Sequence, residues 1–157
     1  MLKKVLFVCI HNSARSQIAE ALLLKYGNDK FDAYSAGIEA GQLNPYAVRV
    51  LLEDEGVDIS NNQTKSAIDF YNQGKLFNYV VTVCDQVSAQ KCPIFPGVRT
   101  RIMMSFEDPM SFSGSDEEIM NKVREVKEKI KAEVLRFIDL VNNNRIKENF
   151  PADWKLG

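Results

Sequence analysis

Val5-Leu-Phe-Val-Cys9-Ile-His-Asn-Ser-Ala-Arg15-Ser-Gln-Ile-Ala19 runs from unbroken apolar residues through a polar stretch into helical spacing. An apolar run without alternation suits a strand covered on both faces, so Leu2 to Ile10 is predicted to be a buried strand. From Ser16 the apolar residues Ile18, Ala19, Ala21, Leu22, Leu23 and Tyr26 recur at helical intervals, and Gly27 with Asn28 supplies a stop. Strand, loop and helix follow one another directly. The intervening residues Ile10, His11, Asn12, Ser13 and Ala14 are thus a candidate anion cradle, because N–H groups of such a loop converge at the positive end of the helix.

The pattern repeats downstream. Phe31 to Ala36 reads as a second strand ending at Gly37, and Asn44-Pro45 opens a helix whose buried stripe is Ala47, Val48, Val50, Leu51 and Leu52. Polar Asn61 to Thr64 precedes a short helix around Ser66 to Tyr71, and Tyr79 to Val83 is a strand that ends at Cys84. Pro93, Pro96 and Gly97 mark a loop, Arg99 to Met104 a short strand, and Phe106 to Gly114 a loop carrying Asp108-Pro109. Ser115 with Glu118 forms a capping box for a long helix with the apolar face Ile119, Val123, Val126, Ile130, Val134, Phe137 and Val141. Alternating strands and helices predict an α/β fold: one domain over residues 1–141, with a mostly parallel four-stranded sheet flanked by helices and ligands bound beyond the carboxyl ends of the strands. Residues 142–157, with Phe150, Pro151 and Trp154, form an extension expected to pack back onto it.

A chain of 157 residues, 45% hydrophobic and 26% charged, is long enough to bury one sizeable core. Its 20 Lys plus Arg against 21 Asp plus Glu leave a net charge of −1 with no basic cluster, which argues against a nucleic-acid partner. The apolar run at the N-terminus meets His11-Asn12-Ser13 too early for a signal peptide or a membrane span, so a cytoplasmic protein without a membrane partner is expected. A monomer is the expected state. Cys9, Cys84 and Cys92 form an odd set, and cytosolic thiols are more often catalytic or metal-binding than disulfide-bonded.

Cys9 heads the loop, where N–H groups, a helix terminus and Arg15 would all favour the nucleophilic thiolate. Arg15 offers a planar fork able to hold two oxygens of a tetrahedral oxyanion, a shape Lys does not match. Ser16 can give the sulfur a further hydrogen bond, and Asn12 tolerates a left-handed backbone while pinning the loop with its amide. The alternative is a small buried residue ending a strand, with Arg15 and Ser16 merely capping a helix. A hydroxide or alkoxide leaving group would need a proton from a carboxylic acid on a nearby loop. Read by itself, Asp108 is either such an acid or a turn residue before proline, with Glu107 as its neighbouring alternative. Cys84 and Cys92 are either redox partners of Cys9 or inert thiols. A metal- or redox-sensing reading with His11 is a further option, although the spacing is unlike a zinc site, and no bound metal is expected.

The segment Val5 to Glu20, together with Tyr34-Ser-Ala-Gly-Ile38 and Asp108-Pro109, resembles the low-molecular-weight protein tyrosine phosphatase superfamily over nearly the whole chain. Within it, His11-Asn-Ser-Ala-Arg-Ser-Gln17, Val80-Val-Thr-Val-Cys84-Asp, Cys92-Pro93 and Ser105-Phe-Glu-Asp-Pro109 look most like the thioredoxin-coupled arsenate reductases. The resemblance implies that Asp108 is the general acid. It also implies a relay in which Cys9 bonds arsenic, Cys84 attacks Cys9 to release arsenite, and Cys92 takes over the disulfide with Cys84. Gln86 to Lys91 is a polar segment able to carry that disulfide to the surface. Thioredoxin or a similar dithiol protein would be the external reductant, with no bound cofactor. Hydrolysis of phosphomonoesters through a phosphocysteine is the alternative activity implied. Glu20, Ser35 and Asn12 resemble positions that hold potassium in some relatives, but Ser66 stands where a carboxylate would be, so no cation is expected.

Overall fold

The computed structural model describes residues 2–84, 95 and 100–146. In chain order the elements are β1 (Lys3–Cys9), α1 (Arg15–Tyr26), β2 (Phe31–Gly37), α2 (Pro45–Glu55), α3 (Ala67–Asn72), β3 (Tyr79–Thr82), β4 (Thr100–Met103), a single 3-10 turn (Pro109–Ser111) and α4 (Asp116–Asn142). All strand pairs are parallel, in the order β2-β1-β3-β4.

β1 lies between two partners, and the unbroken apolar run follows from that position: Val5, Leu6, Phe7 and Val8 are fully buried. Its side chains alternate between two cores. Val5, Phe7 and Cys9 join residues of α1 and α4, whereas Leu6 and Val8 meet Ala67, Phe70, Phe77, Val80 and Phe95 on the opposite face. The chain leaves β1 to one side for β2 and returns on its other side at β3. The strand order therefore reverses beyond the carboxyl ends of β1 and β3, where a crevice forms.

Side-chain caps set the starts of α2 and α4. Asn44 caps α2 by accepting from the N–H groups of Tyr46 and Ala47, with Pro45 in the first turn. Ser115 and Glu118 form the expected capping box. Two details differ from the sequence expectation. Gly27 ends α1 in right-handed geometry, while Asn28 and Asp29, with φ of 53° and 61°, make the left-handed turn. Gly27 is needed instead for close approach, since a Cβ there would lie 2.6 Å from the Leu23 carbonyl oxygen and 2.8 Å from the Phe31 ring. On α4, Met120 is buried in place of Ile119, which is half-buried. Over 27 residues the 3.6-residue repeat drifts around the axis, so a fixed stripe misses its ends.

Past α4, Ile146 is buried in the main core, and the Arg145 N–H donates to the Leu140 carbonyl. Phe150, Pro151 and Trp154 lie outside the described residues, as do Gln86 to Lys91 and Cys92.

Candidate active site

The loop after β1 is held from outside by its own carbonyls. Cys9 O accepts from Ile38 N–H, Ile10 O from Glu39 N–H, His11 O from Gly41 N–H and Ser13 O from Asn44 N–H, all within 3.1 Å. Asn12 O accepts from Gln17 Nε2 at 3.2 Å, and Ala14 O from the Ile18 N–H of α1. Every carbonyl from Cys9 to Ala14 is thus engaged away from the crevice. The N–H groups of His11, Ser13, Ala14, Arg15 and Ser16 keep no partner among the described residues, which is what an anion cradle needs. The bracing segment approaches so closely that Gly37 has no room for a side chain: a Cβ would sit 2.5 Å from Glu39 O and 2.7 Å from Asn12 N. Gly37→Ala is accordingly expected to lower stability by about 1–3 kcal/mol, read as a fall in the urea midpoint.

Cys9 Sγ lies 2.8 Å from Ser16 Oγ and accepts from the Asn12 N–H at 3.2 Å. Asn12 is fully buried with φ of 57°, a conformation its short amide tolerates. Its Oδ1 accepts from Lys65 N–H at 2.9 Å and from Gln17 Nε2 at 3.0 Å, and its Nδ2 donates to Ser16 Oγ at 2.8 Å. Gln17 is itself fully buried and accepts from Asn62 Nδ2 at 3.1 Å. Sequence reasoning missed Gln17 and Lys65. The one available sign was a polar side chain inside the buried stripe of α1, since such a group must find partners.

Arg15 is buried at the first turn of α1, with Nη1 donating to the Phe106 carbonyl at 3.2 Å and Nη2 lying 3.4 Å from Asp108 Oδ2. Asp108 also accepts from Met110 N–H at 3.0 Å, capping the 3-10 turn. The turn reading of Asp108 is thus met, and the same carboxyl also reaches the Arg15 guanidinium. The Asp108 side chain is 34% exposed. Glu107 is exposed and has no hydrogen bond or ion pair among the described residues. His11 stands half-exposed at the rim with Nδ1 3.4 Å from Glu39 Oε1.

Cys84 is fully buried in the same core cluster as Cys9. The Val83 N–H donates to Val8 O at 2.8 Å, which carries the β1–β3 register one residue past β3 and brings Cys84 to the end of the sheet where Cys9 lies. Cys92 lies outside the described residues. Near the loop, burial raises the Glu20 carboxyl above its ordinary range against the opposing pull of Lys65. Burial likewise lowers Lys65, and Glu20 opposes the change. Among the described residues no three His, Cys, Asp or Glu cluster as metal ligands do.

A cysteine heading a loop of unpartnered N–H groups at the strand-order reversal of a parallel sheet, with Arg15 in the first turn of the next helix and Asp108 beside its guanidinium, marks an α/β protein suited to holding a tetrahedral anion near a thiol. The chain belongs to the low molecular weight phosphotyrosine protein phosphatase family, whose model matches residues 4–149. An arsenate reductase of Halalkalibacterium halodurans is 41% identical over 140 residues, covering 88% of this chain and 98% of that protein. A solved arsenate reductase in the phosphate binding state superposes with a TM-score of 0.69 at 28% identity, over 88% of this chain and 98% of the other. A thioredoxin-dependent arsenate reductase of Corynebacterium glutamicum gives a TM-score of 0.63 at 27% identity, over 91% of this chain and 63% of that one.

Proposed function

We propose that this protein reduces arsenate to arsenite through Cys9, Cys84 and Cys92. The observation that carries the reading is a second buried thiol, Cys84, at the same end of the sheet as the cradle cysteine, in a chain 41% identical to an arsenate reductase. Hydrolysis of a phosphomonoester needs only one thiolate, whereas a two-electron reduction needs a second thiol to accept the Cys9 sulfur.

Arsenate lies in the cradle, its oxygens held by the N–H groups of His11, Ser13, Ala14, Arg15 and Ser16 and by the Arg15 fork. The Cys9 thiolate attacks arsenic, and Asp108 protonates the departing oxygen so that it leaves as water. The Cys84 thiolate then attacks Cys9 Sγ. The sulfur–arsenic bond breaks, its electron pair stays on arsenic, and arsenite leaves as the Cys9–Cys84 disulfide forms. Attack of Cys92 on Cys84 moves the disulfide to that pair and returns Cys9 as thiolate. Thioredoxin or a similar dithiol protein then reduces Cys84–Cys92, as suits a protein working in the cytoplasm. The catalytic domain is residues 1–141, and beyond α4 the chain stays on it at least as far as Ile146, which is buried in the main core.

With thioredoxin, its reductase and arsenate, wild-type protein should turn over repeatedly. Cys84→Ser and Cys92→Ser should each fall to background beyond the first turnover. Full multiple turnover in Cys84→Ser would overturn the relay. Family membership also favours phosphatase chemistry from the same loop. Cys84→Ser should leave any phosphomonoesterase activity untouched, so a phosphotyrosine-peptide efficiency far above that for arsenate would make hydrolysis the main activity. Asp108→Asn should reduce kcat for arsenate by about 10²–10³-fold at little change in KM, measured as initial rates of thioredoxin oxidation.

A further inference from the structure

We infer that Gln17 and Asn62 form the outer half of a one-way chain of hydrogen-bond donors ending on Cys9 Sγ, which makes Gln17 a positioning residue for the thiolate. The inference rests on the reading of Cys9 as the nucleophile.

The direction of the chain follows from groups whose role is fixed. A backbone N–H can only donate, so Lys65 N, 2.9 Å away, identifies the Asn12 atom facing it as Oδ1 and turns Nδ2 toward Ser16 Oγ. The Ser16 hydroxyl accepts there, which leaves its own proton for Cys9 Sγ at 2.8 Å. Gln17 is fixed by the same logic. Its Nε2 faces three oxygens that only accept, Asn12 O, Asn12 Oδ1 and Gln63 O, at 3.0 to 3.2 Å, so its Oε1 receives the Asn62 amide at 3.1 Å. Donation therefore runs from Asn62 to Gln17, to Asn12, to Ser16 and to the sulfur. Each amide that accepts at its oxygen becomes a stronger donor at its nitrogen, and burial of Gln17, Asn12 and Ser16 keeps water from competing. The same Gln17 nitrogen holds the carbonyl of left-handed Asn12, whose N–H also points at the sulfur.

Segment 38–44 braces the loop independently, so loss of Gln17 should weaken the chain without releasing the loop. Gln17→Met keeps the length and removes the donors. Its test is alkylation of the thiol by iodoacetamide near neutral pH, counting only the fraction that inorganic phosphate protects. The expected result is alkylation slowed about tenfold, with weaker phosphate binding, in protein that melts above the assay temperature. Asn62→Ala, which removes the outermost donor, should act in the same direction and less strongly. A purely structural Gln17 would lower the melting temperature and leave the alkylation rate of folded protein unchanged, and that result overturns the inference. Should Gln17→Met fail to fold, Asn62→Ala decides: slower alkylation supports the chain and an unchanged rate overturns it. Absence of phosphate protection in the wild type would overturn the assignment of the cradle instead.

Discussion

Cys9→Ser protein is expected to lose arsenate turnover by at least about 10⁴-fold while still binding phosphate. The substitution keeps the Ser16 contact, the Arg15 fork and the braced carbonyls, so the anion cradle persists. What disappears is the reaction. A serine hydroxyl is far harder to ionise than a thiol, and the few donors that reach Sγ cannot make up that difference. Even an arsenate ester on serine would be a dead end, because Cys84 cannot form a disulfide with oxygen and arsenic would keep its oxidation state. Thioredoxin oxidation coupled to NADPH consumption measures the loss, and phosphate binding by calorimetry measures what remains. Serine protein keeping more than a few per cent of the rate would remove Cys9 from the mechanism.

The largest expected effect on stability lies elsewhere, at Glu55. Its side chain is 2% exposed, yet it ends α2 among Lys127, Lys131, Lys25 and the Tyr26 hydroxyl. Lys127 Nζ lies 3.0 Å from Glu55 Oε2 and is equally buried. Removing one member of a buried pair leaves the other charged and poorly solvated, so Glu55→Ala should cost about 3–5 kcal/mol in urea unfolding at neutral pH. Asp54 and Glu128, 3.3 and 2.6 Å from Lys127, place the effect nearer the lower figure. Burial alone would raise the Glu55 carboxyl, but the hydrogen bonds from Tyr26 and the three lysines outweigh it and hold it down at about 2. A carboxyl depressed by folding stabilises above its unfolded value, so this contribution should be complete above about pH 5 and fade as the pH falls toward 2. Lys131 has the opposite sign. Tyr26 and Glu55 push it up to about 12, so its contribution holds below about pH 10 and fades above. Unfolding midpoints across that range should show a plateau between two falling limbs, and Glu55→Ala should lose much of the acid limb.

Where a residue's neighbours in sequence decide its state, the sequence was readable. The uninterrupted apolar run of β1, the Asn44-Pro45 start of α2 and the Ser115–Glu118 box are each local, and each appears as expected. So do the contact between Cys9 and Ser16 and the left-handed backbone of Asn12, both set within one loop and one helical turn. Contacts decided by tertiary approach were not readable. Gln17 meets Asn62 and Gln63 across 45 and 46 positions, and Lys65 reaches Asn12 across 53. Glu55 and Lys127 are 72 residues apart. Written out as sequence they look like ordinary charges on two amphipathic helices, because nothing local distinguishes a solvated Lys from one buried against a carboxylate. The Phe106 carbonyl that steadies Arg15 is invisible for a different reason: backbone atoms have no letter of their own.

The bracing of the cradle by segment 38–44 also bears on how such an enzyme would tell arsenate from phosphate. A receptor finished during folding presents the same cup to any tetrahedral dianion of similar size, and phosphate fits it nearly as well as arsenate. Discrimination then belongs to what happens after capture. Phosphorus on Cys9 has no accessible lower oxidation state to accept the electron pair, so a phosphorylated thiol waits for water, whereas an arsenylated one is drained at once by the next sulfur. In a cell rich in phosphate, arsenate throughput would be set by competition for an occupied cup, and the braced loop of residues 9–15 would carry a background inhibition that follows the ratio of phosphate to arsenate.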